Sequence, residues 1–293
     1  MSAALADLLV KLDLERTGEN SFRGHSPPSL RNRVFGGLLV AQALISASRT
    51  VEGAEPHSLH GYFLIGGDPS APIDYEVERM RDGRSFATRR CLAIQHGRPI
   101  FALTGSFHAP EPGLDHALEM PDVPDPETLV GLDTISQAAS RMTPATLQRY
   151  FTQDQPIEVR PVDIGRYFIR SERRPLPHVQ NIWMRASARL PDDPAIHQAM
   201  LAYMSDMTLL DTVMVRHQRT VFDPDVMAAS LDHALWFHRP FRADEWLLYS
   251  QLSPSAQGGR GLSRGGFFTR DGRLVASAIQ EGLLRLKTDK PAQ

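Results

Sequence analysis

Two stretches of this chain repeat one order of hydrophobic and polar positions. Residues 35–50, "FGGLLVAQALISASRT", run almost without polar interruption after two glycines, with Leu38, Leu39, Val40, Leu44 and Ile45 giving a mainly apolar surface, and this predicts a buried helix. The segments 57–64, 73–80, 85–97 and 98–109 then alternate or carry aromatic and β-branched residues, with the turn signals "RDGR" and "QHGRP" between them, and read as an antiparallel meander. Further along, 197–215, "HQAMLAYMSDMTLLDTVMV", predicts a second long apolar helix. Strands are expected after it at 230–241, 245–252, 261–270 and 273–285. "SLHGYFL" lies over "SLDHALWF" and "HGRPIFALTGSF" over "DGRLVASAIQEG", so the halves read as a duplicated unit.

A long apolar helix followed by a meander implies a curved antiparallel sheet wrapped round that helix. Two such units side by side can join their sheets edge to edge and so remove two exposed edges. The expected fold class is therefore α+β: two helix-plus-antiparallel-sheet repeats forming one continuous curved sheet. The expected division is 1–110, a connector at 111–152, and 153–293. The proline-rich, acidic stretch 109–129 reads as chain wrapped over the surface, with a shorter helix over 130–151.

Composition narrows the function without naming it. The 293 residues are 42% hydrophobic and 23% charged, enough for a sizeable core and unlike a disordered chain. A net charge of −2 and the lack of a long Lys/Arg run argue against a sequence-independent grip on nucleic acid. The single cysteine, Cys91, excludes an internal disulfide framework and a Cys-based zinc site, and points to a reducing, cytoplasmic setting. The opening "MSAALADLLVKLDLERTGEN" is amphipathic and acidic early, unlike a signal peptide. The end, "KTDKPAQ", is not a peroxisomal tripeptide signal. No apolar run approaches the roughly 20 residues that span a bilayer.

Candidate chemistry concentrates in "LDHALWFHRPF", residues 231–241. His233 and His238 are an odd number of residues apart, so a strand sends them to opposite faces, which argues against a shared metal. Ser230, Asp232 and His233 are too close along a strand to converge as a triad, and no nucleophile elbow is present. A central strand fits better, with Asp232 and His233 supporting a site and Trp236 and Phe237 divided between the sheet faces.

Together "LDHALWFHRPF", "SAIQEGLLR", "AYMSDMTLL" and "MRDGRSFATRRCLAIQHGRPIFALTGSFHAPE" resemble the acyl-CoA thioesterase II family, the double hotdog thioesterases of bacteria and peroxisomes, over about residues 10–286. The resemblance implies a double hotdog fold and hydrolysis of acyl-CoA to fatty acid and CoA. It also implies no metal or cofactor beyond the CoA of the substrate, and assembly as a homodimer or homotetramer. Carried over by motif, the catalytic set is Asp206 of "YMSDMTLL", Ser230 of "AASLDHALWFH" and Gln280 of "SAIQEGLLR". A familiar family member has threonine where this chain has Ser230; the hydroxyl is kept and the rotamer-fixing methyl is lost.

These residues can support direct attack by water. Asp206 lies among Met204, Met207, Leu209 and Leu210, so burial should raise its pKa toward that of a general base. Ser230 and Gln280 would hold the water, and a backbone N–H near the start of the first helix would polarise the carbonyl. On the bland reading, Asp206 caps a helix, Ser230 is a turn residue and Gln280 is a satisfied core amide.

Gly36 and Gly37 place N–H groups where they could meet a carbonyl or phosphate. For the CoA phosphates, "GGRGLSRGG" offers Arg260 and Arg264, and "RMRDGRSFATRR" offers Arg79, Arg81, Arg84, Arg89 and Arg90, although a solvated strand face accounts for most of these. Two other functions remain open: a hotdog hydratase acting on enoyl thioesters, to which the Asp232–His233 pair would suit, and a non-catalytic acyl-CoA-binding module.

Overall fold

The computed structural model describes residues 2–27, 32–130, 154–165, 179–221 and 223–287. A short helix, α1 (Ala3–Leu12), begins at Ser2, whose hydroxyl accepts the Leu5 N–H. It is followed by β1 (Glu15–Arg16) and β2 (Ser21–Gly24). The first repeat continues with α2 (Gly36–Ser48), β3 (Glu55–Phe63), β4 (Ile73–Asp82), β5 (Phe86–Gln95) and β6 (Arg98–His108). Residues Gly37 to Ala47 of α2 are all buried, as expected for a helix apolar on every side. The β5–β6 turn is His96–Gly97, both at positive φ (50° and 70°), which matches the right-handed twist of its strands.

The second repeat contains β7 (Ile157–Pro161), β8 (Val179–Ala186), α3 (Pro194–Ser205) and α4 (Asp211–Val215). After these come β9 (Val226–Ser230), β10 (Asp232–Phe237), β11 (Leu247–Gln257), β12 (Arg260–Thr269) and β13 (Leu274–Leu286). One antiparallel sheet holds them all, in the order β1-β2-β4-β5-β6-β3-β10-β13-β12-β11-β8-β7, with β9 beside β13. Outward from the β3–β10 joint, β3-β6-β5-β4-β2 on one side answers β10-β13-β12-β11-β8 on the other. This is the double hotdog arrangement. At the joint His233 pairs with Gly61 and Leu235 with Leu59.

The two central helices lie against each other with opposite polarity. A Cβ on Gly37 would sit 2.4 Å from the Tyr203 carbonyl oxygen, so α2's first turn meets α3's last turn and only glycine fits between them.

Two elements expected to be continuous are broken. The helix expected over 197–215 stops at Ser205 and resumes as α4, because Asp206 directs its N–H to Met204 rather than back to Ala202, and the Ser205 hydroxyl donates to the Ala202 carbonyl instead (2.8 Å). The strand expected over 230–241 is split at Leu231 into β9 and β10. There Asp232 Oδ1 accepts the Glu281 N–H (2.7 Å).

The described part of the connector, up to residue 130, places three apolar side chains against the second half. Met120, Val123 and Leu129 pack on Trp183, Trp246, Leu248, Phe268 and Leu274, covering the outer face of the second half. The two indoles donate to Pro124 O (3.0 Å) and Glu127 Oε1 (2.8 Å). The helix expected over 130–151 falls, beyond its first residue, outside the described residues.

Candidate active site

Asp206 closes the last turn of α3, where the chain leaves the helix and its side chain is turned toward α2. The first turn of α2 has no cap of its own: Phe35 occupies the N-cap and makes no side-chain bond. The Asp206 carboxylate faces that turn from the other half of the molecule, and the Gly37 peptide group there favours its charged form. Gly36 makes room for it, since a Cβ there would lie 2.6 Å from Asp206 Oδ2.

Asp206 Oδ1 is held from the opposite side by two donors. Ser230 Oγ, at the end of β9, donates at 3.0 Å, and Gln280 Nε2, from the inward face of β13, donates at 2.5 Å. Three residues separated by up to 74 positions thus meet on one carboxylate oxygen. The expected carboxylate–hydroxyl–amide set is brought together, though in this state Ser230 and Gln280 both act on Asp206. Asp206 and Gln280 are buried, at 8% and 0% exposure. Gln280 Oε1 is buried and has no hydrogen-bond partner among the described residues. Burial raises the Asp206 pKa, and the bonds from Gln280, Ser230 and Gly37, with the charge of Arg33, only partly oppose it.

His233 points into the same pocket from β10. Its Nε2 is 2.7 Å from Ser205 Oγ and its Nδ1 is 3.3 Å from Gln280 Nε2. Burial pushes the imidazole down to about 4, so the ring is neutral. Asp232 faces the other side of the sheet, its carboxylate engaged by the Glu281 N–H, and does not pair with His233. That geometry removes the Asp–His couple that a hydratase reading would draw from "DH". His238 bonds Ser277 Oγ (2.9 Å), away from His233. Among the described residues no group of His, Cys, Asp and Glu is arranged to hold a metal.

Other expectations shift. The Gly37 N–H faces the Asp206 carboxylate. Arg260 is exposed and bonds Glu281 (3.1 Å), and Arg264 is exposed on the face of β12 opposite to buried Ser263. Arg89 is buried and paired with Asp82 and Thr50, Arg79 bonds Asn20, and Arg90 lies 3.6 Å from Glu78. These three serve internal contacts.

Sequence reasoning missed Arg33, which reaches across the halves to donate to Ala228 O (2.8 Å) and places a cation near Asp206. It also missed Ser205, whose only signal was its position beside Asp206.

Two family models match the chain: an acyl-CoA thioesterase model over residues 146–283 and an acyl-CoA thioesterase N-terminal domain model over residues 25–108. Acyl-CoA thioesterase 2 of Haemophilus influenzae is 38% identical over 286 residues, covering 97% of this chain and 99% of that one. The crystal structure of an acyl-CoA thioesterase II from Mycobacterium marinum superposes with a TM-score of 0.79 at 41% identity, covering 98% of this chain and all of that one. A protein from Alicyclobacillus acidocaldarius described as having a hot dog fold superposes with a TM-score of 0.77 at 21% identity, over 98% of this chain and all of that one, a likeness of fold.

Proposed function

The chain belongs to the acyl-CoA thioesterase family and is a thioester hydrolase, and from that premise we propose that it cleaves fatty acyl-CoA to free fatty acid and CoA by direct attack of a water molecule activated by Asp206. The observation carrying this reading is the single buried carboxylate on which Ser230, Gln280 and the α2 N-terminus converge. Asp206 takes a proton from water as the water oxygen bonds to the thioester carbon. The tetrahedral adduct then expels the CoA sulfur, whose thiol, with a pKa near about 8.5, departs with little assistance. The proton held by Asp206 passes to the departing products, so one water is consumed and one acid and one thiol are formed.

Burial supports Asp206 as the base, because a raised pKa strengthens the carboxylate as a proton acceptor. Ser230 and Gln280 fix its orientation, and the free Gln280 Oε1 is an acceptor for the second hydrogen of the attacking water. Developing charge on the substrate oxygen would be met by the Gly36 N–H, which has no partner among the described residues and lies at the positive end of α2. Arg260 and Arg264 are candidates for the CoA phosphates, being exposed on the repeat that carries Gln280. A homodimer or homotetramer is the assembly we favour, and a reducing compartment such as the cytoplasm is the setting, the latter supported by the chain's one cysteine being buried and free.

The test is thiol release, followed with a disulfide dye, from short, medium and long acyl-CoAs. Wild type should release thiol, and Asp206→Asn should slow it by on the order of 100-fold or more while folding normally. An Asp206→Asn enzyme that hydrolyses at the wild-type rate would remove this mechanism.

A further inference from the structure

The direction of each hydrogen bond around His233 follows from counting protons. The Ser205 hydroxyl has one proton, and it goes to the Ala202 carbonyl (2.8 Å), which lost its ordinary helical donor when Asp206 turned its N–H to Met204. Toward His233 Nε2, 2.7 Å away, Ser205 Oγ can therefore only accept, so the imidazole carries its proton on Nε2. Its Nδ1 is then a lone pair that can only accept. The group facing it, at 3.3 Å, is Gln280 Nε2.

We propose that His233 is a positioning residue, which holds the Gln280 carboxamide with Nε2 toward Asp206 and Oε1 as the free acceptor of the site throughout the catalytic cycle. The proposal rests on the hydrolytic reading of Asp206 and Gln280. Ionised Asp206 imposes this orientation by itself, since a flipped amide would set Oε1 against Oδ1 at the 2.5 Å now spanned by a hydrogen bond. Once Asp206 has taken a proton from water, that constraint is gone: a carboxylic acid can donate to Oε1, and a flipped amide becomes acceptable. His233 Nδ1 still accepts and does not donate, so the amide stays in place for the next turnover.

Its neutrality is secured by burial, at 1% exposure, and its tautomer by a helix end that depends on no substrate. Tyr249 steadies that end by donating its hydroxyl to the Ser205 carbonyl (3.1 Å). The conventional marks of a catalytic histidine are absent, because no carboxylate orients the ring and its Nε2 proton points to a hydroxyl buried in the protein.

The first test uses the full wild-type chain labelled with ¹⁵N-histidine. His233, assigned by the signal lost in His233→Asn, should appear at neutral pH as the Nε2–H tautomer, and an Nδ1–H tautomer would overturn the proposal. The second test is kinetic. His233→Asn retains a carbonyl oxygen near the Nδ1 position and should keep kcat within about 5-fold, whereas His233→Leu should lower kcat by about 10- to 100-fold with KM changed less than about 2-fold. A folded His233→Leu enzyme with wild-type kcat, or equal losses in both variants, would contradict the positioning role. Should the leucine variant not fold, Ser205→Ala replaces it: unlocking the tautomer should lower kcat by about 3- to 10-fold, and unchanged kcat counts against the proposal. Failure of the hydrolytic reading is visible separately, as full activity in Asp206→Asn, whatever tautomer His233 adopts.

Discussion

Burial moves the two titratable groups flanking Gln280 in opposite directions. His233 falls from 6.5 to about 4, so between those values the unfolded chain binds a proton that the folded one refuses. Stability should therefore drop as pH falls through this window, by on the order of 3 kcal/mol from this group alone. Denaturant titrations at pH 7, 5.5 and 4 should show that slope, and His233→Asn should flatten it. Asp206 has its pKa raised above 3.8, so its contribution is fully present below that value and is lost as pH rises through the folded pKa. At neutral pH the ionised carboxylate is then a local cost, and Asp206→Asn should melt above wild type at pH 7, with the difference closing in acid. Activity needs the charged form, so kcat/KM should fall on the acid side at a pH above the ordinary carboxylate range, with Arg33, Ser230, Gln280 and the Gly37 N–H limiting the rise. Asp206, Ser230 and Gln280 were legible as a set because their motifs recur in a known family; residue by residue, each had an ordinary structural explanation. The part played by His233 was not legible, since it depends on which carbonyl Ser205 selects at a helix end far away in sequence.

At the level of elements, most strands of the two meanders were readable in the sequence, whereas β7 and β8 were not. β8, "VQNIWMRA", is buried at five of its eight positions because the connector lies over its outer side, so the two-residue rhythm is blurred. The end of α3 was hidden for a different reason: the apolar pattern runs on through Leu209 and Leu210, and only the local competition of Ser205 and Asp206 for backbone partners stops the helix. The contact of α2 with α3 gives a sharp expectation. Gly37→Ala would force a methyl group against the Tyr203 carbonyl, and the helices must part to admit it. A loss of about 2–4 kcal/mol is expected in thermal or denaturant unfolding, together with reduced thiol release as the carboxylate is drawn from its donors.

Across the whole molecule, the core does not divide where the sequence repeats. Buried residues of both halves form one cluster, from Leu38 and Phe101 to Met200 and Phe267, and the strands meet in an unbroken ladder at β3 and β10. The chain should therefore unfold in a single calorimetric transition; two resolved transitions would mean that the halves are separately stable. The repeat and the joining of its sheets were visible in the pattern of apolar positions, whereas the way the ends of α2 and α3 oppose each other was not, because it depends on glycines meeting a backbone at close range. Those opposed helices have two ends. At one, Asp206 of α3 faces Gly36 of α2; at the other, Gln198 of α3 reaches Glu55, just past α2, at 3.5 Å. In a pair of identical chains every substitution would appear at both ends at once, and a change that improved one would be imposed on its mirror image. Tandem linkage lifts that obligation: each end can be altered without the other following, and a single polypeptide can keep one end for chemistry while the opposite end drifts toward whatever best serves stability or a new use.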